Sequence, residues 1–329
     1  MAGRLAAYAA CLAVCLAAHA STPLARPGPG DPMTDEAAYL EPLASVTAIE
    51  RKTTGWIFGR PSAGTPAAQM ELARRLDAEQ SLRHAARAYD ALVRRWPHAP
   101  EAAPAQQRLA ELQDARGKLQ KAFAEFRYLL HFYPGQAAPK EILDRLLAIA
   151  NHYKDKGRES IALPMFLQIA ELAPQWSETP QALLQAGLLQ AADRKWDEAV
   201  ATFERISANH PGTPEAEAAA GEAAHALYRI ARRFERDEAV QTRALASLAA
   251  TLRDYPKHAK RGKLQEELDD LTARRYNAHY EAARFYDSPR FKPETAVTAY
   301  EEFLRRFPKA PQADEVRRRL DELDETGRE

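Results

Sequence analysis

The side chains equipped for chemistry in this chain are nine histidines, two cysteines and adjacent carboxylates such as Glu301-Glu302 and Asp269-Asp270. Histidines a helical turn apart, or Cys/His clusters, would ligate zinc; a cysteine beside a histidine would be a nucleophile; carboxylates facing across a cleft would serve acid–base hydrolysis. No such pattern is completed. His19, His84, His98, His131, His152, His210, His225, His258 and His279 form no His-x-x-x-His pair. Four of them, His98, His131, His210 and His258, stand beside prolines and read as polar helix ends. The carboxylate pairs sit among basic residues at helical spacing, as on solvated faces, and neither a phosphate-binding glycine loop nor a nucleophile elbow is present. No catalytic, cofactor-binding or metal-binding residue is assigned, no cofactor is expected, and the chain reads as a non-enzyme.

The cysteines point to the first element. Residues 1–20 carry Arg4, an apolar run from Leu5 to Ala18 and the small residues Ala18 and Ala20, the pattern of a secretory signal peptide. The run is shorter than the roughly 20 residues a bilayer-spanning helix needs. Cleavage after Ala20 would remove both Cys11 and Cys15 and leave no thiol for redox or metal chemistry. Lipidation is the alternative, opposed by bulky Val14 before Cys15 and by Tyr8 before Cys11. The expected location is therefore the periplasm or the periplasmic face of the outer membrane, with membrane contact peripheral or through a lipidated cysteine.

Lys+Arg and Asp+Glu both total 46, so no global field draws the chain to nucleic acid or an anionic surface. The basic clusters around Arg229–Arg236 and Arg317–Arg319 are interleaved with acids. Nucleic acid is excluded as a partner on that ground.

Residues 21–66 are rich in proline and glycine and read as a linker, within which the 55–60 segment GWIFGR would dock its three large apolar side chains, as a cap on the first hairpin or on a partner. Residues 67–323 carry apolar positions at three- and four-residue spacing, the helical period, and residues 324–329 read as a disordered tail. Prolines punctuate the helical part at Pro97, Pro134, Pro174, Pro211, Pro256 and Pro308, separated by 37, 40, 37, 45 and 52 residues. Twelve residues before each stands an alanine: Ala85, Ala122, Ala162, Ala199, Ala244 and Ala296. Eight before each stands a large apolar residue: Tyr89, Phe126, Phe166, Phe203, Leu248 and Tyr300. The four-residue step puts both on one helix face, a small residue admitting a neighbouring helix and an aromatic filling the space between hairpins.

This register resembles the tetratricopeptide family. Gly187, Ala199, Phe203 and Pro211 match its small residue, alanine, aromatic and proline, and Ala150, Tyr153, Gly157, Ala162, Phe166 and Pro174 match in the preceding unit. The resemblance implies an all-α superhelix of about six tetratricopeptide-like helical hairpins with a C-terminal capping helix. In the last two units Arg232 and Arg284 occupy the small-residue position, so their first helices are longer or shifted.

Residues 279–323, with Phe285-Tyr286, Ala296, Tyr300, Phe307-Pro308 and a closing helix from Val316 to Leu323, resemble the C-terminal repeat of the BamD family of outer-membrane assembly lipoproteins. That resemblance implies a scaffold for unfolded outer-membrane proteins that docks on the barrel-assembly component. A periplasmic tetratricopeptide coordinator of cell-wall and Tol-linked processes, or a generic protein-interaction scaffold, is the alternative. By the resemblance to tetratricopeptide proteins, the groove formed by the first helices of the first three units would include Arg74, Gln107, Glu111, Asp144, Asn151 and Lys154. Arg74, Asn151 and Lys154 are the leading peptide contacts, because their donors could hold carbonyls or a terminal carboxylate.

Overall fold

The structure, a computed structural model, describes residues 49–54, 59–136 and 138–326. The signal segment with Cys11 and Cys15, the linker before Ile49 and the Trp56-Ile57-Phe58 side chains lie outside the described residues. Thirteen α-helices and no strand are present among the described residues. They pair as six hairpins: α1 (Pro66–Ala78) with α2 (Leu82–Arg95), α3 (Ala102–Ala115) with α4 (Leu119–Phe132), and α5 (Pro139–Asp155) with α6 (Glu159–Leu172). Then follow α7 (Thr179–Ala192) with α8 (Trp196–Asn209), α9 (Pro214–Arg233) with α10 (Glu238–Asp254), and α11 (Arg261–Tyr286) with α12 (Pro293–Arg306). A final helix, α13 (Ala313–Thr326), closes the array and runs three residues into the stretch read as tail. Leu323 packs against the C-terminal core and Arg319 pairs with Glu322 on the helix surface just before that stretch.

Local chemistry fixes where each hairpin turns. Thr65 and Thr213 cap α1 and α9 by accepting from Ala68 N and Ala216 N, with Pro66 and Pro214 supplying a preset φ in the first turn. Within the first four hairpins the residue seventeen before the proline adopts positive φ: Gln80, Gly117, Gly157 and Arg194. Each ends its first helix, and the next backbone N–H closes back onto a carbonyl five residues earlier, as in Lys118 N to Gln113 O at 2.9 Å. Glycine adopts this conformation without penalty, whereas Gln80 and Arg194 accept a Cβ clash to do so.

The repeat prolines sit second in tight turns after the second helices. In five of the six units the N–H two residues past the proline donates to the carbonyl before it, as in Trp176 N to Ala173 O at 3.2 Å. The six alanines twelve residues upstream are buried, as are Tyr89, Phe126, Phe166, Phe203, Leu248 and Tyr300. A Cβ added to Gly187 on α7 would lie 2.4 Å from the Phe203 ring, so that ring occupies the space a side chain would need. Full burial of such a ring is worth about 1.5–3 kcal/mol.

The last two units differ in length. Helix α9 has 20 residues, α10 has 17 and α11 has 26. Arg232 and Arg284 are exposed there, and the buried small residues are their neighbours Ala231 and Ala283, one position earlier. No helix among the described residues is long and apolar enough to cross a membrane.

Candidate docking surfaces

The leading contacts expected on the first-helix face fall on two of its helices. Arg74 lies exposed on α1, while Asn151 and Lys154 lie on α5, with α3 between them in the order of hairpins. Lys154 Nζ is engaged by Gln185 Oε1 of α7 at 3.1 Å, Gln107 bonds Glu111 at 3.1 Å, and Asp144 pairs with Lys140 at 3.0 Å. This face is knitted by ion pairs between successive first helices. Arg108 of α3 donates to Asp77 of α1 at 2.6 Å, and Arg145 of α5 donates to Asp114 of α3 at 2.6 Å. The two pairs repeat with the 37-residue period of the first two units. Its charges are therefore largely spent within the chain.

A second surface, on the second-helix side, holds an extended segment of the chain itself. Residues 49–54, inside the stretch read as linker, lie across α2, α3 and α4. Ile49 packs against the N-terminal core, and the Arg51 guanidinium stands 4.5 Å over the Phe132 ring. Lys52 Nζ donates to Asp90 of α2 at 3.2 Å, to Gln106 of α3 at 3.3 Å and to Glu125 of α4. It also lies 4.9 Å over the Tyr128 ring, whose phenol pKa burial raises while the Lys52 backbone N–H, donating to Oη, opposes that shift. The Thr53 carbonyl accepts from Arg94 at 2.9 Å. A largely buried ammonium is thus met by two carboxylates and an amide oxygen, which satisfies the charge that burial would otherwise penalise.

Two buried glutamines, 37 residues apart, perform the same task. Gln69 donates to the Ala88 carbonyl of α2 at 3.0 Å while its oxygen accepts from Ser62 N and Ala63 N. Gln106 donates to the Glu125 carbonyl of α4 at 2.8 Å while its oxygen accepts from Lys52. Each ties a hairpin together with one end of its amide and grips the N-terminal segment with the other. The sequence reading missed Lys52, Gln69, Gln106 and the Asp–Arg rungs. The 37-residue offset shared by the glutamines and by the rungs was the available signal.

Beyond the Lys52 seat, between α2 and α4 and floored by α3, runs a groove of about 670 Å³. Six of its lining residues are Arg or Lys and two, Asp90 and Glu125, are acidic. No group of three or more His, Cys, Asp or Glu side chains placed to hold a metal occurs among the described residues.

In comparisons with known proteins, a family profile described as "Tetratricopeptide repeat" matches residues 181–213, which comprise most of α7 and all of α8. No curated protein matches the chain in sequence. Solved structures similar to it include that of YrrB, described as a TPR protein with an unusual peptide-binding site, at 19% identity and a TM-score of 0.30, covering 61% of this chain and 92% of that one. The Pseudomonas aeruginosa pilF structure is similar at 16% identity and a TM-score of 0.33, covering 77% and 97%. A tetratricopeptide repeat protein from Parabacteroides merdae is similar at 16% identity and a TM-score of 0.26, covering 78% and 98%.

Proposed function

We propose that this chain is an exported scaffold that holds segments of other proteins, and that it serves outer-membrane protein assembly in the manner of the BamD family. The observation that carries the scaffold reading is the seated 49–54 segment. It shows that the second-helix side of the first two hairpins can hold an extended stretch of chain through backbone and side-chain bonds together. An array of stacked hairpins presents such surfaces repeatedly along its length. The finer reading draws on the signal pattern of residues 1–20 and on the aromatic-rich last hairpin, with Phe285, Tyr286, Tyr300 and Phe307.

Affinity capture from detergent-solubilised envelopes with the tagged full-length chain, after brief cross-linking, tests both levels. Recovery of a barrel-assembly component is the expected result. Recovery of other envelope proteins without any assembly component would reject the assembly role and leave a scaffold of different purpose. Mass spectrometry of the N-terminus checks export: a Ser21 start or a lipidated cysteine is expected, and a retained Met1 would remove the periplasmic reading.

A further inference from the structure

The groove between α2 and α4 has a charge that the fold does not use. Of its six cationic side chains, Arg94 is spent on Asp90 at 2.6 Å and on the Thr53 carbonyl, and Arg116 reaches Gln113 at 3.4 Å. Arg83, Arg87, Lys118 and Lys121 make no ion pair or hydrogen bond through their side chains among the described residues, and all four are exposed. Both acids on the groove wall are already neutralised, Asp90 by Lys52 and Arg94, and Glu125 by Lys52. The first-helix face of the first three hairpins shows the contrast, since Arg108 and Arg145 there are each matched to an aspartate.

These cations are also placed where a helix tolerates them least. Arg83 falls in the first turn of α2, Lys118 is the N-cap of α4 and Lys121 lies in its first turn, at the positive ends of two helix dipoles. Neither helix has an acid in its first turn, whereas α6, α8, α10 and α12 carry Glu159, Asp197 with Glu198, Glu238 and Glu294. The local cost is left uncompensated inside the chain, and an anion in the groove would offset it.

We infer that this groove binds an acidic, extended segment of a partner protein, its carboxylates meeting Arg83, Arg87, Lys118 and Lys121. The inference rests on the scaffold reading and names the partner chemistry for it. The volume is that of a ligand-sized cleft and accommodates several residues of extended chain. Its walls, α2 and α4, are those the 49–54 segment already crosses in extended form at the groove's end. Small Ala86 and Ala124 line it and leave the middle open to a backbone.

The test is fluorescence anisotropy of a fluorescein-labelled Glu/Ser decapeptide titrated with the full-length chain at low and high salt, beside the Gln/Ser analogue. The acidic peptide is expected to bind with salt-weakened affinity and the neutral one much more weakly. The double variant Arg87→Glu with Lys121→Glu should weaken binding by about tenfold or more. Arg243→Glu with Arg253→Glu, an equal charge change on α10, should leave it near the parent value. Equal binding of both peptides, or equal loss in both double variants, would overturn the proposal. Binding that emerges only when Asp31, Asp35, Glu36 and Glu41 are neutralised would make the chain's own acidic stretch the occupant and overturn the partner assignment. Should the peptide fail while envelope capture still recovers partners, this groove is excluded and the scaffold reading stands.

Discussion

The first three hairpins and the last two are built from the same register of alanine, large apolar residue and proline, yet their cores are organised differently. From α1 through α7 one apolar cluster runs without interruption, from Met70 to Leu189. From there to α13 the apolar residues separate into three smaller groups: one around Phe203 that joins α6 and α7 to α8 and α9, one ending at Leu271, and one beginning with Tyr276, Tyr280 and Ala283, the last two groups meeting on the single helix α11. Large side chains are left in solvent near that end, Phe234 at 49%, Phe285 at 63% and Tyr286 at 39% exposure. The continuous cluster coincides with the units of near-constant length, and the separated groups with the longer helices α9, α10 and α11. Charge bridges part of that break: Glu238 at the start of α10 pairs with Arg275 of α11 at 3.2 Å and with Arg306 of α12.

The largest expected effect tests the continuity of the N-terminal core. Phe166→Ala should cost about 3–5 kcal/mol in global unfolding, and a loss under about 1 kcal/mol would mean that the ring is no inter-repeat knob. Tyr300→Ala, in the small C-terminal group, should instead lower hydrogen-exchange protection in α12 and α13 while leaving α1–α6 protected; uniform loss would merge the two regions. Gly187→Ala drives a methyl into the Phe203 ring and should cost about 1–3 kcal/mol by denaturant unfolding. In the opposite direction, Arg194→Gly relieves a positive-φ residue and should raise stability by up to about 1 kcal/mol, while Gly117→Arg at the matching turn should lower it.

The smallest effect is confined to the C-terminal end and depends on pH. Hydrogen bonds from Arg319, and then from Tyr300, hold the Asp287 carboxyl below its ordinary value against burial, which pushes it up. A depressed carboxylate stabilises the fold above its unfolded pKa, and that contribution fades as pH falls through the folded value. Exchange protection of α13 should therefore drop on acidification below the ordinary carboxylate range, and Asp287→Asn should abolish most of that pH dependence.

Much of this architecture was legible because proline, alanine and aromatic positions act locally. A turn needs its proline at one place, a close helix crossing needs Ala199 or Gly187, and both recur at near-constant spacing. The lengthening of units five and six was visible through Arg232 and Arg284, but their one-residue shift to Ala231 and Ala283 depends on how long helices settle against neighbours. The docking surfaces were less legible. Arg74, Asn151 and Lys154 have suitable donors, yet whether a donor is free depends on what lies opposite, and Lys154 meets Gln185. Lys52 could not be read at all, since its three acceptors come from positions 38, 54 and 73 residues away.

The paired glutamines and the Asp77–Arg108 and Asp114–Arg145 rungs have a consequence for how the molecule can change length. The first two hairpins agree in their polar joints as well as in their apolar filling, so the outgoing face of each matches the incoming face of its successor. A third copy of residues 98–134 spliced between them would offer an aspartate and an arginine at both new seams. This end of the chain is thus a place where the protein could grow or shrink by duplication without inventing a contact.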